Sequence, residues 1–365
     1  ENQKFDEQNE DYRKMNLKTA YVGAKFNPII DLLSQSLTVT TLLVGGIFMM
    51  QGKITAGEIL AFSSLTWALA NPLRNLGMLI NDVQRFFASC QMIIEIFYAH
   101  PTISDRYMAR DPGVRPQGDV EYRNVTLTID GATILDDISF HVKPGETLGI
   151  IGTTGSGKTT LVGMLTRIND PTSGDVLLDG EPVQSYTLKA LRRHIGVAMQ
   201  DVFLFSDTVD SNIAYGDPDM PFEDVQKYAR TADADEFIRK MEDGYDTLVG
   251  ERGVGLSGGQ KQRISLARAL AIRPAVLILD DTTSAVDMET EKYLQEQLRN
   301  LDFPCTKIII AQRVSTIEDA DLILVLDRGR IVESGTHREL LKNKGFYRHI
   351  WAIQNSKEEG ESIGA

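Results

Sequence analysis

Gly152-Thr153-Thr154-Gly155-Ser156-Gly157-Lys158-Thr159-Thr160 lies between an apolar run, Thr147 to Ile151, and a helical pattern, Leu161 to Arg167. It satisfies G-x4-G-K-[ST] in the strand-to-helix context that this pattern requires. The glycines let the backbone close around a phosphate chain where a Cβ would stand in the way. Loop N–H groups and the helix N-terminus supply positive potential there. Lys158 has the reach to touch β- and γ-phosphates, and the Thr159 hydroxyl is suited to ligate Mg2+. A loop of this kind belongs at the end of a strand in an α/β domain.

The surrounding sequence agrees. Runs rich in β-formers at Val120 to Ile129, Leu148 to Ile151, Val176 to Leu178, Val276 to Leu279, Lys307 to Ile310 and Leu322 to Leu326 alternate with amphipathic helical stretches. That alternation predicts a largely parallel central sheet over residues 118–353. The strand run Ala275 to Leu279 ends in Asp280-Asp281. Acidic strand ends are common. Downstream of a phosphate loop, however, the first carboxylate is placed to hold Mg2+ through water and the second to polarise an attacking water. Upstream, Pro101, Pro112, Gly113, Pro116 and Gly118 mark residues 101–117 as a linker. The polar residues 354–365 read as a flexible tail.

Residues 1–100 have a different texture. Leu32 to Met50 is a run of nineteen uncharged residues, close to the ~20 that span a bilayer. Ile59 to Leu73 is also charge-free, and its pattern continues past Arg74 to Ile80. The short polar stretch between them predicts an antiparallel pair of membrane spans at about 28–50 and 58–80, with an extension to about 98. Arg13, Lys14, Lys18 and Lys25 precede the first span and Arg85 follows the second, which puts both ends on the cytoplasmic side. Ser34, Gln35, Ser36, Thr38, Thr40 and Thr41 soften the first span, as Asn71, Arg74 and Asn75 do the second. Such groups face a bundle interior, a water-filled path or another helix. Two helices enclose no path, so more are expected from elsewhere. Glu1 to Glu10 is too polar for a signal peptide.

The net charge of −13 excludes wholesale nucleic-acid binding but not a local anion site. With 42% apolar and 24% charged residues, a disordered chain is excluded too. Cys90 and Cys305 match no metal or redox spacing and read as idle thiols of a reducing compartment.

Leu256-Ser257-Gly258-Gly259-Gln260 gives the pattern a family. Ser257 lies 105 residues after Gly152, and Leu256 lies 24 before Asp280. These separations and this run resemble an ABC transporter of the exporter type, and the run resembles its signature. Ser257 and the glycines head a helix expected from Gln260 to Ala271, and a helix N-terminus with a hydroxyl is a second anion site. The resemblance implies that this signature closes over ATP held by a partner protomer, so that two nucleotides are sandwiched head to tail. It also implies a role for Gln200 in sensing Mg2+ and linking to the spans. Thr247 to Gly253 resembles the cross-linking loop of exporters, and Ser284 to Asp287 the loop that crosses to the partner's site. The spans resemble the last two of six, so the chain reads as N-terminally incomplete. Residues of about 11–21 resemble the coupling helix that docks on the partner's ATP domain. Implied ligands are ATP and Mg2+. Implied surroundings are a second half-transporter, a lipid bilayer and a transported drug, lipid or peptide, in a bacterial plasma membrane with the ATP domain in the cytoplasm.

Three positions depart from the family's pattern. Asp281 stands where a general-base Glu is usual, and its carboxylate therefore sits roughly 1.5 Å shorter. Gln312 stands where a His contacts the γ-phosphate; it can donate a hydrogen bond but cannot carry a proton's charge. Ile129 stands where an aromatic ring stacks on adenine, and Tyr122 does not match that spacing. All three serve one nucleotide site, whereas Ser257, Gly258 and Gly259 serve the other. The expectation is a chain whose own site binds ATP and hydrolyses it slowly, paired with a different subunit that carries the Glu and His. A homodimer with two slow sites is the alternative. A non-transporting ABC-type ATPase clamp and an importer ATPase subunit both lack fused spans.

Overall fold

A computed structural model describes residues 2–250, 253, 255–282 and 286–361. Side chains at several positions of the first two helices, 69–78 among them, lie outside that description. The chain divides into two compact units, Glu1–His100 and Pro101–Ala365.

The first unit is a pair of long helices, α1 (Asn2–Met50) and α2 (Ala56–Phe97). The expected coupling helix and first span form one continuous element, with Pro28 inside it. Thr55 starts α2: its hydroxyl accepts from the Glu58 N–H, and the Glu58 carboxylate accepts from the Thr55 N–H at 2.6 Å. This reciprocal cap satisfies two donors that a helix start leaves open. The two helices approach closely where Gly45 meets Ile59; a Cβ on Gly45 would lie 3.2 Å from Ile59 Cγ1. Among the described residues one helix, Asn9–Met50, is long and apolar enough to cross a membrane, and Ala56–Leu65 is a shorter apolar segment. The hydroxyls of Ser36, Thr40 and Thr41 donate back to the carbonyls of Leu33, Ser36 and Leu37, each at 2.8 Å. Their polarity is thus met within α1 itself.

The second unit holds two sheets. An antiparallel sheet, ordered β2-β1-β4-β5, comprises β1 (Val120–Ile129), β2 (Ala132–Val142), β4 (Ser173–Leu178) and β5 (Glu181–Pro182). A six-stranded sheet runs β10-β9-β3-β8-β7-β6: β3 (Thr147–Gly152), β6 (Ile195–Ala198), β7 (Val276–Asp280), β8 (Thr306–Ile310), β9 (Leu322–Asp327) and β10 (Arg330–Gly335). Only the β9–β10 hairpin is antiparallel. Every residue of β7 is buried, which is why its sequence reads as a continuous apolar run. Burial of each Leu or Ile side chain there contributes about 1.5–3 kcal/mol. Short helices surround the sheet: α3 (Lys158–Leu165), α4 (Leu188–Arg193), α5 (Val209–Ile213), α6 (Phe222–Thr231), α7 (Asp235–Arg239), α8 (Gly258–Ala271), α9 (Met288–Arg299), α10 (His337–Lys342) and α11 (Phe346–Glu361). Helices α5 to α8 pack with Leu277 and Leu279 of β7 into a second core, a helical subdomain.

Two expectations need correction. Residues 101–117 are tied to the second unit rather than free: Arg115 donates to the Pro274 and Pro304 carbonyls, the Leu188 N–H to Asp105, and the Arg110 N–H to the Ser185 carbonyl. Of the expected tail, residues 354–361 continue α11, which ends at Glu361, and 362–365 lie outside the described residues. In 101–117 polar composition conceals contacts made by the backbone and by the Arg115 and Asp105 side chains.

Candidate active site

The parallel strands β3, β8, β7 and β6 all end on one side of the sheet, the usual place for a ligand in α/β folds. Each delivers part of the expected site from its C-terminal end: Gly152 at the end of β3, Asp280 at the end of β7, Gln312 just beyond β8 and Gln200 just beyond β6.

The loop after β3 is shaped by glycine. Gly155 and Gly157 have φ of 78° and 99°, which only glycine adopts readily. A Cβ on Gly157 would also lie 2.8 Å from Leu135 Cδ2, and one on Gly152 2.1 Å from the Leu326 carbonyl oxygen. Thr153, Thr154 and Ser156 complete the turn, and the Ser156 N–H donates to the Thr153 carbonyl at 3.1 Å. Lys158 opens α3, followed by Thr159 and Thr160. Its ammonium donates to the Gly152 and Thr153 carbonyls at 2.9 Å each. Partial burial depresses the lysine's pKa, and the nearby Asp280 and Asp281 oppose that shift.

Asp280 and Asp281 are 4% and 7% exposed. The Thr159 hydroxyl donates to Asp280 at 2.7 Å, which joins the phosphate loop to the end of β7. Asp281 has φ of 51°, a conformation that Asp tolerates better than most residues. Its N–H donates to the Ile310 carbonyl at 3.0 Å. One carboxylate oxygen, Oδ2, accepts from both Gln312 Nε2 at 2.6 Å and Gln200 Nε2 at 3.2 Å. Amides from two different loops therefore converge on one carboxylate. Thr159 and Asp280 offer a hydroxyl and a carboxylate side by side. This hard, sparse oxygen set fits Mg2+, which takes one or two protein ligands and completes its shell with water and substrate phosphates.

At the end of β1, Ile129 is 40% exposed and is able to offer an aliphatic surface to a base. Tyr122 takes no part: it is 2% exposed, stacks on Phe140 and donates to the Leu161 carbonyl.

The signature run begins α8, two residues before the expected start. The Ser257 oxygen accepts from the Gln260 N–H at 3.3 Å, and the Gln260 side chain accepts from the Ser257 N–H at 2.9 Å. The hydroxyl proton of Ser257 is not used in this cap. Gly258 and Gly259 form the first turn, where Ser257 and Gly258 are exposed. Asp287 caps α9, accepting from the Thr290 N–H at 2.9 Å, and that bond holds its carboxyl below the usual range. Ser284 and Ala285 of the crossing loop, and Glu251 and Arg252 of the cross-linking loop, lie outside the described residues.

Sequence reasoning missed Gln354, whose amide bonds the backbone on both sides of Arg313. The signal available was its position on α11, one turn from Ile350 and Trp351 and two from Tyr347.

Both parts of the chain resemble known proteins. Residues 135–284 match the ABC transporter family, and residues 1–73 match the ABC transporter transmembrane region. Over 96% of its length the chain is 42% identical to an uncharacterized ABC transporter ATP-binding protein, YknU, of Bacillus subtilis, covering 60% of that protein. It is 39% identical, over 97% of its length, to an ATP-dependent lipid A-core flippase of Aliivibrio fischeri, covering 61% of it. A solved bacterial Atm1-family ABC exporter with ATP bound matches 90% of the chain at 35% identity and a TM-score of 0.76, with 58% of that structure covered. The chain thus spans about three fifths of the length of these relatives. Its two parts, an exporter-type transmembrane region and an α/β P-loop ATP-binding domain with an antiparallel β subdomain and a helical subdomain, belong to the ABC transporter family.

Proposed function

We propose that the chain is an ATP-binding and ATP-hydrolysing subunit of a bacterial ABC exporter, and that its own nucleotide site is the slow one of two. The reading rests on the hydrogen-bonded set in which Asp281 takes both amides, Gln200 and Gln312, beside Thr159–Asp280 and Lys158. In this reading Lys158 and the loop N–H groups hold the phosphates of ATP, and Ile129 packs on adenine. Thr159 and Asp280, with Gln200 nearby, hold Mg2+, which when bound neutralises phosphate charge. Asp281 orients the attacking water and accepts its proton, while Gln312 donates to the γ-phosphate.

Two features make this site slow. The aspartate is short for its task, and a misplacement of about 1 Å can cost ~10²-fold. Gln312 also supplies no cationic form beside the developing charge. The signature is intact, so Ser257, with Gly258, Gly259 and Gln260, completes the site of a partner, and Asp287 faces that partner across the interface. A heterodimer follows, in which the partner subunit carries the stronger base. A homodimer with two slow sites is the second reading, and it needs no further gene product.

ATP closes the two ATP domains, and the α1 segment of about 11–21 and the Gln200 loop pass that motion to the spans in the plasma membrane. The relative named as a lipid A-core flippase favours an amphipathic cargo, a lipid or a drug, over a peptide. The test is MgATP hydrolysis by the full-length protein in lipid nanodiscs. Lys158→Ala is expected to weaken nucleotide binding at this chain's own site, and Ser257→Ala to lower turnover at the opposite one. Full activity in both variants would refute the reading.

A further inference from the structure

The stretch that carries Gln312 is fastened by a side chain from far along the sequence. The backbone carbonyl of Gln312 accepts from Gln354 Nε2 at 2.9 Å, and the N–H of Val314 donates to Gln354 Oε1 at 2.9 Å. One amide thus pairs with the backbone on both sides of Arg313, in the manner of a neighbouring strand, at a point where β8 has already ended. Gln354 lies on α11, and Tyr347, Ile350, Trp351 and Gln354 share one face of that helix. Tyr347 is fully buried in a cluster with Ala311, Val314 and Ile317, and Ile350 and Trp351 pack against it. The start of the helix is anchored as well: the Tyr347 hydroxyl lies 2.7 Å from His337 Nδ1, and the Phe346 N–H donates to Glu333. The helix is therefore an arm fixed at one end whose polar contact is made at the site.

The geometry points to Gln354 as a positioning residue for the nucleotide site. By fixing the backbone at Gln312 and Val314, it holds the Gln312 amide on the Asp281 carboxylate, 2.6 Å away. Gln354 touches neither carboxylate nor nucleotide; it acts through Gln312. The inference rests on the proposed reading of the site as an ATPase. A packing role alone would lower stability and leave the catalytic geometry as it was, so the two differ in what they do to kcat and KM.

The test uses the full-length protein by itself, so that turnover at its own site is what is read. Gln354→Met keeps the length of the side chain and removes both hydrogen bonds. It is expected to lower kcat about tenfold with KM for ATP within about twofold. In a Gln312→Ala background the same change is expected to have no further effect, because the residue through which it acts is gone. Effects that multiply in the double variant, or an unchanged kcat in the single one, would overturn the proposal. Hydrogen exchange at the Val314 amide supplies a readout that does not depend on turnover, with about tenfold faster exchange expected in Gln354→Met. Unchanged exchange would overturn the clamp. If the unmodified protein hydrolysed no ATP, the reading of the site would fail, and exchange at Val314 with and without MgATP would decide the clamp by itself.

Discussion

Asp281→Glu tests whether reach limits this site. The aspartate's Oδ2 is shared by Gln312 at 2.6 Å and Gln200 at 3.2 Å. A glutamate adds one methylene and carries the carboxylate roughly 1.5 Å further from the backbone, off the position where the two amides now meet it. Two opposite effects follow. In the nucleotide-free protein, hydrogen bonds from neutral amides to a charged group are lost, at about 1.5–3 kcal/mol each, and a residue with φ of 51° changes from Asp to one less suited to it. Stability should therefore fall. With MgATP bound, a gain of about 1 Å in placement is worth up to ~10²-fold in turnover. The assay is single-site turnover of the full-length protein in nanodiscs, with thermal unfolding measured in parallel. Lower stability together with a rate increase of ten- to a hundredfold (an order-of-magnitude range) is expected. A variant as slow as the parent would mean that reach is not what limits Asp281.

Gln312→His is expected to raise turnover several-fold and to make it pH-dependent near the imidazole pKa of about 6.5, as a pH–rate profile would show. Ile129→Tyr places a ring where an exposed aliphatic side chain now stands; nucleotide affinity is expected to rise about tenfold, toward the lower end of base–aromatic stacking, in a fluorescent-nucleotide titration. Burial pushes the Cys305 thiol up to about 11, so it should resist maleimide at pH 8 until the domain unfolds. The sign follows: only the unfolded thiol ionises as pH rises from about 8.5 toward about 11, so this group's contribution to stability is lost over that window.

Much of the site was legible because its chemistry lies in contiguous runs. The phosphate loop, the acidic end of β7 and the start of α8 each occupy a few consecutive residues. The strands missed are instructive: β2 buries only scattered positions, β10 alternates exposed and half-buried positions with none buried, and β5 and β6 have only two and four residues, so none stands out as an apolar run. That Gln200 and Gln312 meet on one oxygen of Asp281 is a consequence of strand order, with β7 between β6 and β8, which no local pattern specifies. The roles of Ser257 and Asp287 as helix caps could have been read from the residues that follow them. The anchoring of 101–117 could not, because its partners lie at Ser185, Pro274 and Pro304.

In the proposed exporter two unlike sites divide the labour. The direct measurement is ATPase turnover of the full-length protein, first alone and then reconstituted with a half-transporter subunit that carries the Glu and His. Division of labour predicts a low rate alone and a strong rise on mixing, lost when the partner's general base is removed and largely kept in Asp281→Asn here. A substantial rate from this protein alone, abolished by Asp281→Asn, would contradict it and make Asp281 the working base of a homodimeric exporter.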